Sequence, residues 1–511
     1  MTASTVSNDE ISHQRDWWTF AILVAASTFA FLVLVGVFWV GYLGSDDTTY
    51  WEGAVGWTTH FPYVGGSHWA LRHTLVLPLA LSRLIFGDGL LALSLPSLLY
   101  ALAFIAMLTF WMQSALGKFA AAIALGLVVT HPQFVLLSST ADVDIPEMFF
   151  IVSAFFLIDR AISDIKKREA DRSAPNKPDL RWRLFCAGAL LGLGAISRET
   201  TIFALAAIMV LFIAGYGMPR RFYFFVGIGF AVVTGLETLW LWTRTGTLFY
   251  RYKIDLHHDS NISRWVDQGA AIPFVHPLVD PVTMFLFNHN FGLLTWIGVP
   301  LAFWLIGRSK TLSADARRML VLLGTLSLVW ALLAAGNWKI LPLIPRYYLL
   351  PFVILSVLAG IALSQLWQQG RKRMAAGIGA VLLSGNLMAL AIDNRNFMFG
   401  EYTLADLASK STGTIHTDPL TLRRAGTLLK WRGVGDRVNS KPPASGELFY
   451  LNPAHATSNP DVRSGWGIVE RREIPLNDVQ QAICRLLPAK APLFASKSRC
   501  EPHYVTLYRI S

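Results

Sequence analysis

Apolar runs long enough to cross a bilayer recur along all but the last part of this chain. A helix needs roughly 20 residues to span a hydrocarbon core, and segments near that length lie at about 17–43, 93–113, 119–137, 146–162, 183–197, 201–217, 222–244, 290–307, 319–335, 346–366 and 374–392. In lipid every backbone N–H and C=O has to be satisfied within the protein, so such runs are expected to be helices. Composition agrees, because the 511 residues are 53% hydrophobic and 15% charged, against about 25% charged in soluble domains. The expected fold class is therefore an all-α polytopic membrane protein with about 11 transmembrane helices. The run TLVLPLALSRLIF at 74–86 is short for a crossing and carries Pro78 and Arg83, which assigns it to an interfacial helix.

The basic residues set the orientation. With the N-terminus inside, the cytoplasmic loops hold Lys118, the cluster from Arg160 to Arg183, Arg220 with Arg221, Arg308 to Arg318, and Arg371 to Arg373. Every strongly basic loop then falls on one side, as positive-inside sorting requires, and counting 74–86 as a crossing would break that pattern. The formal net charge of +11 is thus explained by topology, with no need of a nucleic-acid partner. The first 16 residues lack a basic signal-peptide start, and the run after them is read as a retained anchor. The domain plan expected is a cytoplasmic tail at 1–16, a membrane domain at 17–392, and a small mixed α/β extracytoplasmic domain at 393–511, where GTIHTD, PLTLRRAGTLLKW, GELFYLN, VQQAICRLL and HYVTLYRI alternate as short strands and helices. Cys186 falls in an apolar span, and Cys484 and Cys500 can pair if that tail lies outside the cytoplasm.

The opposite face collects the carboxylates. Asp46 and Asp47, in SDDTTYWEGA, follow the first span; Asp142, Asp144 and Glu147, in STADVDIPE, precede the fourth. Any one of them can be a helix cap. Two separate loops presenting carboxylates to one compartment point further, to groups that deprotonate an acceptor or hold a divalent cation against a phosphate. Cations share that face: Arg346 beside Tyr347 in PLIPRYYLLP, Arg198 in AISRET, and, as weaker candidates, Arg72, His73 and Lys339. Arginine binds phosphate oxygens as a fork, although one at a span end can also simply snorkel to the head groups. Asp255, His257, His258 and Asp259 lack the helical spacing of a zinc site and read as solvated, so no metal ligand set is expected and any cation requirement stays open. No glycine-rich phosphate loop of the soluble nucleotide enzymes occurs. A transporter or flippase is the rival reading, and Glu237 within the span 222–244 is the residue that favours it.

The order of SDDTTY, RHTLVLPLALSRLIFG, LSLPSLLYAL, STADVDIPEMFF, GALLGLGAISRET and PRYYLLP over residues 17–366 resembles the polytopic GT-C glycosyltransferases, in the branch of the protein O-mannosyltransferase-like and lipid A aminoarabinose transferases. The resemblance implies an inner-membrane enzyme that moves a hexosyl or pentosyl group from a polyprenyl-phosphate donor to a cell-envelope acceptor on the outer face, as in lipopolysaccharide modification or protein glycosylation. It implies Asp46 as the base, Asp47 where glutamate is usual, Tyr50 at the matching aromatic, Asp144 as the second-loop acid and Arg346 near the donor phosphate. Glu147, Tyr347, Arg198, Arg72, His73 and Lys339 complete the expected substrate-binding set. The chain departs from that pattern where Arg72, His73 and Thr74 replace Lys-Pro-Pro, and where Arg198 and Glu199 replace Lys-Gly.

Overall fold

A computed structural model describes residues 8–170, 180–255, 279–337, 344–393, 398–453, 466–476, 481–482, 484–485 and 503–510. Helix α1 (Asn8–Val37) leads to two outer helices, α2 (Asp46–Thr59) and α3 (His73–Phe86), and then to α4 (Leu90–Leu116). A bent pair follows, α5 (Lys118–Val129) and α6 (Pro132–Ser138), turning by 64°. The break lies where Pro132 has no N–H to continue the ladder and where His131 Nδ1 accepts from the Phe134 N–H. Next come α7 (Asp144–Ala170), α8 (Leu180–Ser197), α9 (Ile202–Ala214), α10 (Arg220–Thr245), α11 (Val279–Phe287), α12 (Val299–Gly307), α13 (Ala314–Gly336), α14 (Leu349–Gln368) and α15 (Lys372–Asp393).

Every apolar segment picked out in the sequence is helical, but they are not equivalent as spans. Among the described residues seven helices are long and apolar enough to cross a membrane, or eight with the bent pair counted as one. The segments at 146–162, 201–217 and 290–307 fall short for physical reasons. Helix α7 is 27 residues long but carries Asp144, Glu147, Asp159, Arg160 and Asp164. Helices α9 and α12 have 13 and 9 residues. Helix α3, with 14 residues, is short of a crossing, and Leu81, Leu84, Ile85 and Phe86 are exposed along it.

Burial separates the centre of the bundle from its lipid face. The span Pro345–Gln368 is 94% buried, whereas Trp17–Val37 is only 11% buried, so the former is the central post and the latter faces lipid. Side chains alone do not bring helices together in lipid, where close van der Waals approach is needed. Helices α8 and α10 show it: a Cβ on Gly188 would lie 1.9 Å from the Val226 carbonyl oxygen, and one on Gly229 2.0 Å from that of Phe185. At the end of the bundle away from the acidic loops, the buried Asp159 of α7 accepts from Trp111 Nε1 at 2.9 Å and pairs with Arg318 of α13. A charge buried among the helices is tolerated there because it is paired.

The tail forms the expected α/β unit: α16 (Phe399–Lys410), β1 (Ile415–Thr417), α17 (Pro419–Trp431), β2 (Val438–Asn439), β3 (Leu448–Leu451), β4 (Gly467–Glu473) and β5 (Tyr504–Arg509). The sheet order is β2-β1-β3-β5-β4, with β1 parallel to β2 and β3, and β5 antiparallel to β3 and β4. This unit does not stand apart. Tyr50, Trp51 and Ala54 of α2 and Leu75, Val76 and Leu79 of α3 share one apolar cluster with Leu404, Leu428 and Tyr450. Cys186 is free, Cys484 is disulfide-bonded, and Cys500 lies outside the described residues.

The α8–α10 contact is open to test. Gly188→Leu should force the two backbones apart and destabilise the protein by about 1–3 kcal/mol or more, read as a lower unfolding temperature in detergent. Gly227→Leu, where a Cβ meets nothing within 4 Å, should leave it unchanged. Equal melting of both variants would show that the close approach is not what holds the pair.

Candidate active site

The loop between α1 and α2 decides where the first carboxylates point. Asp47 turns back on its own chain and accepts the Leu43 and Ser45 N–H groups, each at 2.7 Å. Its two oxygens staple the loop ahead of α2, whose N-cap is Ser45, and it is buried there. Asp46 points the other way and receives Arg346 Nη2 at 2.8 Å. Two neighbouring residues of one type thus have different surroundings.

The second acidic loop meets the first. The Val40 N–H donates to Ser139 Oγ at 3.1 Å, and the Ser97 hydroxyl bonds to the backbone of Asp142 at both its N–H and its C=O. Asp142 Oδ1 accepts the Asp144 N–H at 2.7 Å, while its Oδ2 lies 3.9 Å from Arg346 Nη1. Asp144 Oδ1 pairs with Arg198, and its Oδ2 is buried with no hydrogen-bond partner among the described residues. Arg198 stacks on Tyr347 at 4.1 Å, and Arg346 lies 5.5 Å from the same ring. Glu147 takes the hydroxyls of Thr200 and Thr201 at 2.7 and 2.9 Å, tying α7 to the turn after α8. A narrow cleft of about 10 Å³ lies between Asp144, Glu147, Trp330, Arg346 and Tyr347.

A third group borders the first two. Arg72 Nη1 donates to the Tyr50 hydroxyl at 2.7 Å, and Nη2 lies 3.5 Å from Glu199 Oε2. Arg72 Nε is buried without a hydrogen-bond partner among the described residues. His73 Nδ1 donates to Glu237 Oε1 at 2.9 Å. Arg251 joins the set: it reaches Glu199 at 2.6 Å, Glu237 at 3.0 Å and the Leu71 carbonyl at 3.0 Å. Glu237, the carboxylate that favoured a transporter, is thus paired twice at the outer part of α10. Sequence reasoning passed over Arg251, which sits in LFYRYKID without a motif; its partners lie 14 to 180 residues away. An open apolar groove of about 470 Å³, lined by Phe230, Leu239, Trp242, Phe249 and Tyr252, adjoins a smaller hollow that reaches Glu237 and Arg251.

Asp46, Asp144, Arg198, Arg346, Tyr347, Tyr50 and Arg72 are therefore brought together, with His73 and Glu147 bound behind them. Lys339, His257, His258 and Asp259 lie outside the described residues. No group of three His, Cys, Asp or Glu side chains suited to a metal ion occurs among the described residues.

Charge fixes the state of these groups. Burial alone would push the Asp46 carboxyl up, but the charge and hydrogen bond of Arg346, with Arg72 and Arg198 behind it, hold it below its ordinary value. Asp46 is therefore an ionised acceptor at neutral pH. Burial wins at Asp142, which is raised despite Arg346 and Arg198. An ionised carboxylate at a water-accessible helix start, faced by guanidinium groups that accept negative charge, suits proton abstraction beside a phosphate leaving group.

Comparison with known proteins supplies the frame for this geometry. Residues 74–242 match the family described as dolichyl-phosphate-mannose-protein mannosyltransferase. No curated protein sequence matches the chain significantly. The structure is similar to the apo form of ArnT from Cupriavidus metallidurans, with a TM-score of 0.57 at 12% identity over 96% of this chain and 97% of that one. The form of that protein bound to undecaprenyl phosphate gives 0.55 at 12% identity over the same shares. The archaeal oligosaccharyltransferase AglB from Archaeoglobus fulgidus, in complex with an inhibitory peptide and a dolichol-phosphate, gives 0.56 at 14% identity. There 84% of this chain is aligned, spanning only 65% of the larger protein. The chain has the fold of the GT-C membrane glycosyltransferases, in the ArnT-like and protein-mannosyltransferase-like form that its ordered sequence motifs resemble.

Proposed function

We propose that this protein is a membrane glycosyltransferase that moves a hexosyl or pentosyl group from a polyprenyl-phosphate donor to a lipid, glycan or protein acceptor at the outer face of the inner membrane. The observation that carries the reading is the Asp46 carboxylate, held ionised against Arg346 with Arg72 and Arg198 close by. The apolar groove beside Arg251 suits an isoprenoid chain, and a row of cations, Arg251, Arg72 and Arg346, runs from it towards Asp46. The solved structures similar to this one include one bound to undecaprenyl phosphate and one in complex with a dolichol-phosphate, which supports a lipid-phosphate donor here. A transporter is less well supported, because Glu237 is ion-paired with Arg251.

In the proposed reaction Asp46 takes the proton from the acceptor's hydroxyl or amine as that group attacks the anomeric carbon. The bond from that carbon to the phosphate oxygen breaks, and its electron pair leaves on the lipid phosphate. Arg346 and Arg72 meet the negative charge that develops there. Asp144 holds Arg198 against Tyr347, and Asp47 keeps the loop folded.

Asp46→Asn should lower transfer of labelled sugar from a polyprenyl phosphate by about 10² to 10⁴ with expression and membrane insertion unchanged; full activity would remove Asp46 from the mechanism. The parent's rate should stay level through neutral pH and fall only as pH drops through the depressed Asp46 value. In Arg346→Ala burial is no longer opposed by its main counter-charge, so the acid limb should move to higher pH. Arg346→Lys should keep the limb near the parent's while weakening donor binding, since an ammonium does not reproduce the guanidinium fork. An unmoved limb in the alanine variant would break the link between the two residues. For orientation, a cysteine in place of the exposed Ser409 should react with an impermeant reagent from the outer side of the membrane, and labelling from the cytoplasm alone would invert the topology.

A further inference from the structure

The loop that carries Asp46 is gripped from the C-terminal domain by a single arginine. Arg424, on α17, donates from Nη2 to the Leu43 carbonyl at 3.0 Å. The N–H of the same residue is the one that Asp47 holds at 2.7 Å. Leu43 is thus fixed from both sides, by the catalytic loop's own carboxylate and by a residue 381 positions away. The backbone of Arg424 takes part too. The Tyr42 hydroxyl donates to its carbonyl at 2.6 Å, which leaves Thr48 as the donor in the 3.0 Å bond between the Thr48 and Tyr42 hydroxyls. Gly44, at φ +61, passes so close that a Cβ there would stand 2.8 Å from the Arg424 carbonyl oxygen.

The guanidinium is itself held from within its own domain. Glu401, fully buried, lies 3.4 Å from Arg424 Nε, and the Met398 sulfur accepts from Nη2 at 3.2 Å. The α16 segment that carries Glu401 is tied to the sheet by the Tyr450 hydroxyl, which donates to the Gly400 carbonyl at 2.6 Å. Trp431, at the end of α17, packs edge-on against Trp51 of α2 at 5.2 Å. A rigid path therefore runs from the sheet through Glu401 and Arg424 to Leu43, and from Leu43 through Asp47 to its neighbour Asp46. A half-buried guanidinium on a backbone carbonyl adds little that an apolar contact would not supply for docking alone. What it adds is direction, since a guanidinium N–H fixes the position of the oxygen it meets.

We infer that Arg424 is a positioning residue of the active site: by holding the Leu43 carbonyl it sets where the Asp46 carboxylate stands relative to Arg346, so the C-terminal domain is a working part of the catalytic centre. The inference rests on the reading of Asp46 as the base. A displacement of about 1 Å in a catalytic group can cost on the order of 100-fold in rate without changing what binds.

The test compares the full-length parent with Arg424→Ala, Arg424→Lys and Tyr42→Phe, the last of which removes the hydroxyl's bonds to the Arg424 carbonyl and to Thr48 and keeps the ring. Arg437→Ala serves as control, because Arg437 bonds the Ala408 and Ser411 carbonyls of the same domain and does not touch the loop. Transfer kinetics with a polyprenyl-phosphate sugar are read beside hydrogen exchange of the amides at 42–48. Arg424→Ala should lower kcat by about 10- to 100-fold with the donor KM within about twofold, and exchange at 42–48 should quicken while the spans keep their protection. Lysine and Tyr42→Phe should fall between parent and alanine on both readouts, and the control should match the parent. Unchanged kcat in Arg424→Ala, unchanged exchange at 42–48, or quickened exchange throughout the spans would each overturn the inference. A parent that transfers no sugar would overturn the glycosyltransferase reading and, with it, any catalytic role for Arg424, while the exchange result would still decide whether Arg424 holds the loop.

Discussion

The contact between Asp46 and Arg346 joins residues 300 positions apart at the end of the bundle that carries the acidic loops, and the rest of that end is arranged around it. Removing a carboxylate or a guanidinium from water costs several kcal/mol per ion unless a partner compensates. Several charges in this region are accordingly matched: Asp46 with Arg346, Asp144 with Arg198, Glu199 and Glu237 with Arg251. All but the Glu237–Arg251 pair, 14 residues apart, also join segments distant in sequence. Asp46 starts α2 and Arg346 precedes the central helix α14; Asp144 starts α7 and Arg198 follows α8. Asp159 and Arg318 do the same at the other end of the bundle. In a medium that gives helices no hydrophobic reason to associate, these pairs and the glycine contacts of α8 and α10 supply specificity that apolar area cannot.

How much of this was legible in the sequence depends on the range of the interaction involved. Helices declare themselves through local apolar length, and the tail segment PLTLRRAGTLLKW coincides with α17 because its cap is local as well: Asp418 accepts the Thr421 N–H, with Pro419 at the first helical position. Loop parity found the face that carries the carboxylates, and span-end position found Arg346 and Arg198. The number of true crossings was harder, since periodicity does not say whether a charged helix such as α7 lies among other helices or against lipid. Nothing in the string SDDTTY separates Asp46 from Asp47. That distinction comes from the turn at Gly44 and the two amides that capture Asp47, which are features of the folded loop. Arg251 escaped notice for the same reason, because its neighbours in sequence are ordinary and its partners are remote.

The boundary drawn at residue 393 follows hydropathy, and hydropathy is blind to what the two parts share. Helices α2 and α3 belong by sequence to the membrane domain, yet their buried faces pack with α16, α17 and the sheet in one cluster. The buried faces of α2 and α3 are not covered by the long helices alone, and the C-terminal unit completes their cover. The sheet and its two helices provide that cover, which accounts for a mixed α/β unit on an otherwise helical chain.

Matched charges also set terms for a ligand. A phosphate that engages Arg346 gains only the difference between its own contact and the pair with Asp46 that it weakens, so tight binding is not what this arrangement favours. The same exchange changes the carboxylate. Burial pushes Asp46 up and Arg346 pulls it down, so any share of the guanidinium that passes to the phosphate makes Asp46 a better proton acceptor. In the proposed transfer that demand is greatest when the phosphate carries most charge, as the sugar leaves. Interactions that strengthen towards the transition state are the ones that accelerate the step, and a carboxylate and a phosphate competing for one arginine couple proton removal to leaving-group departure through a single side chain.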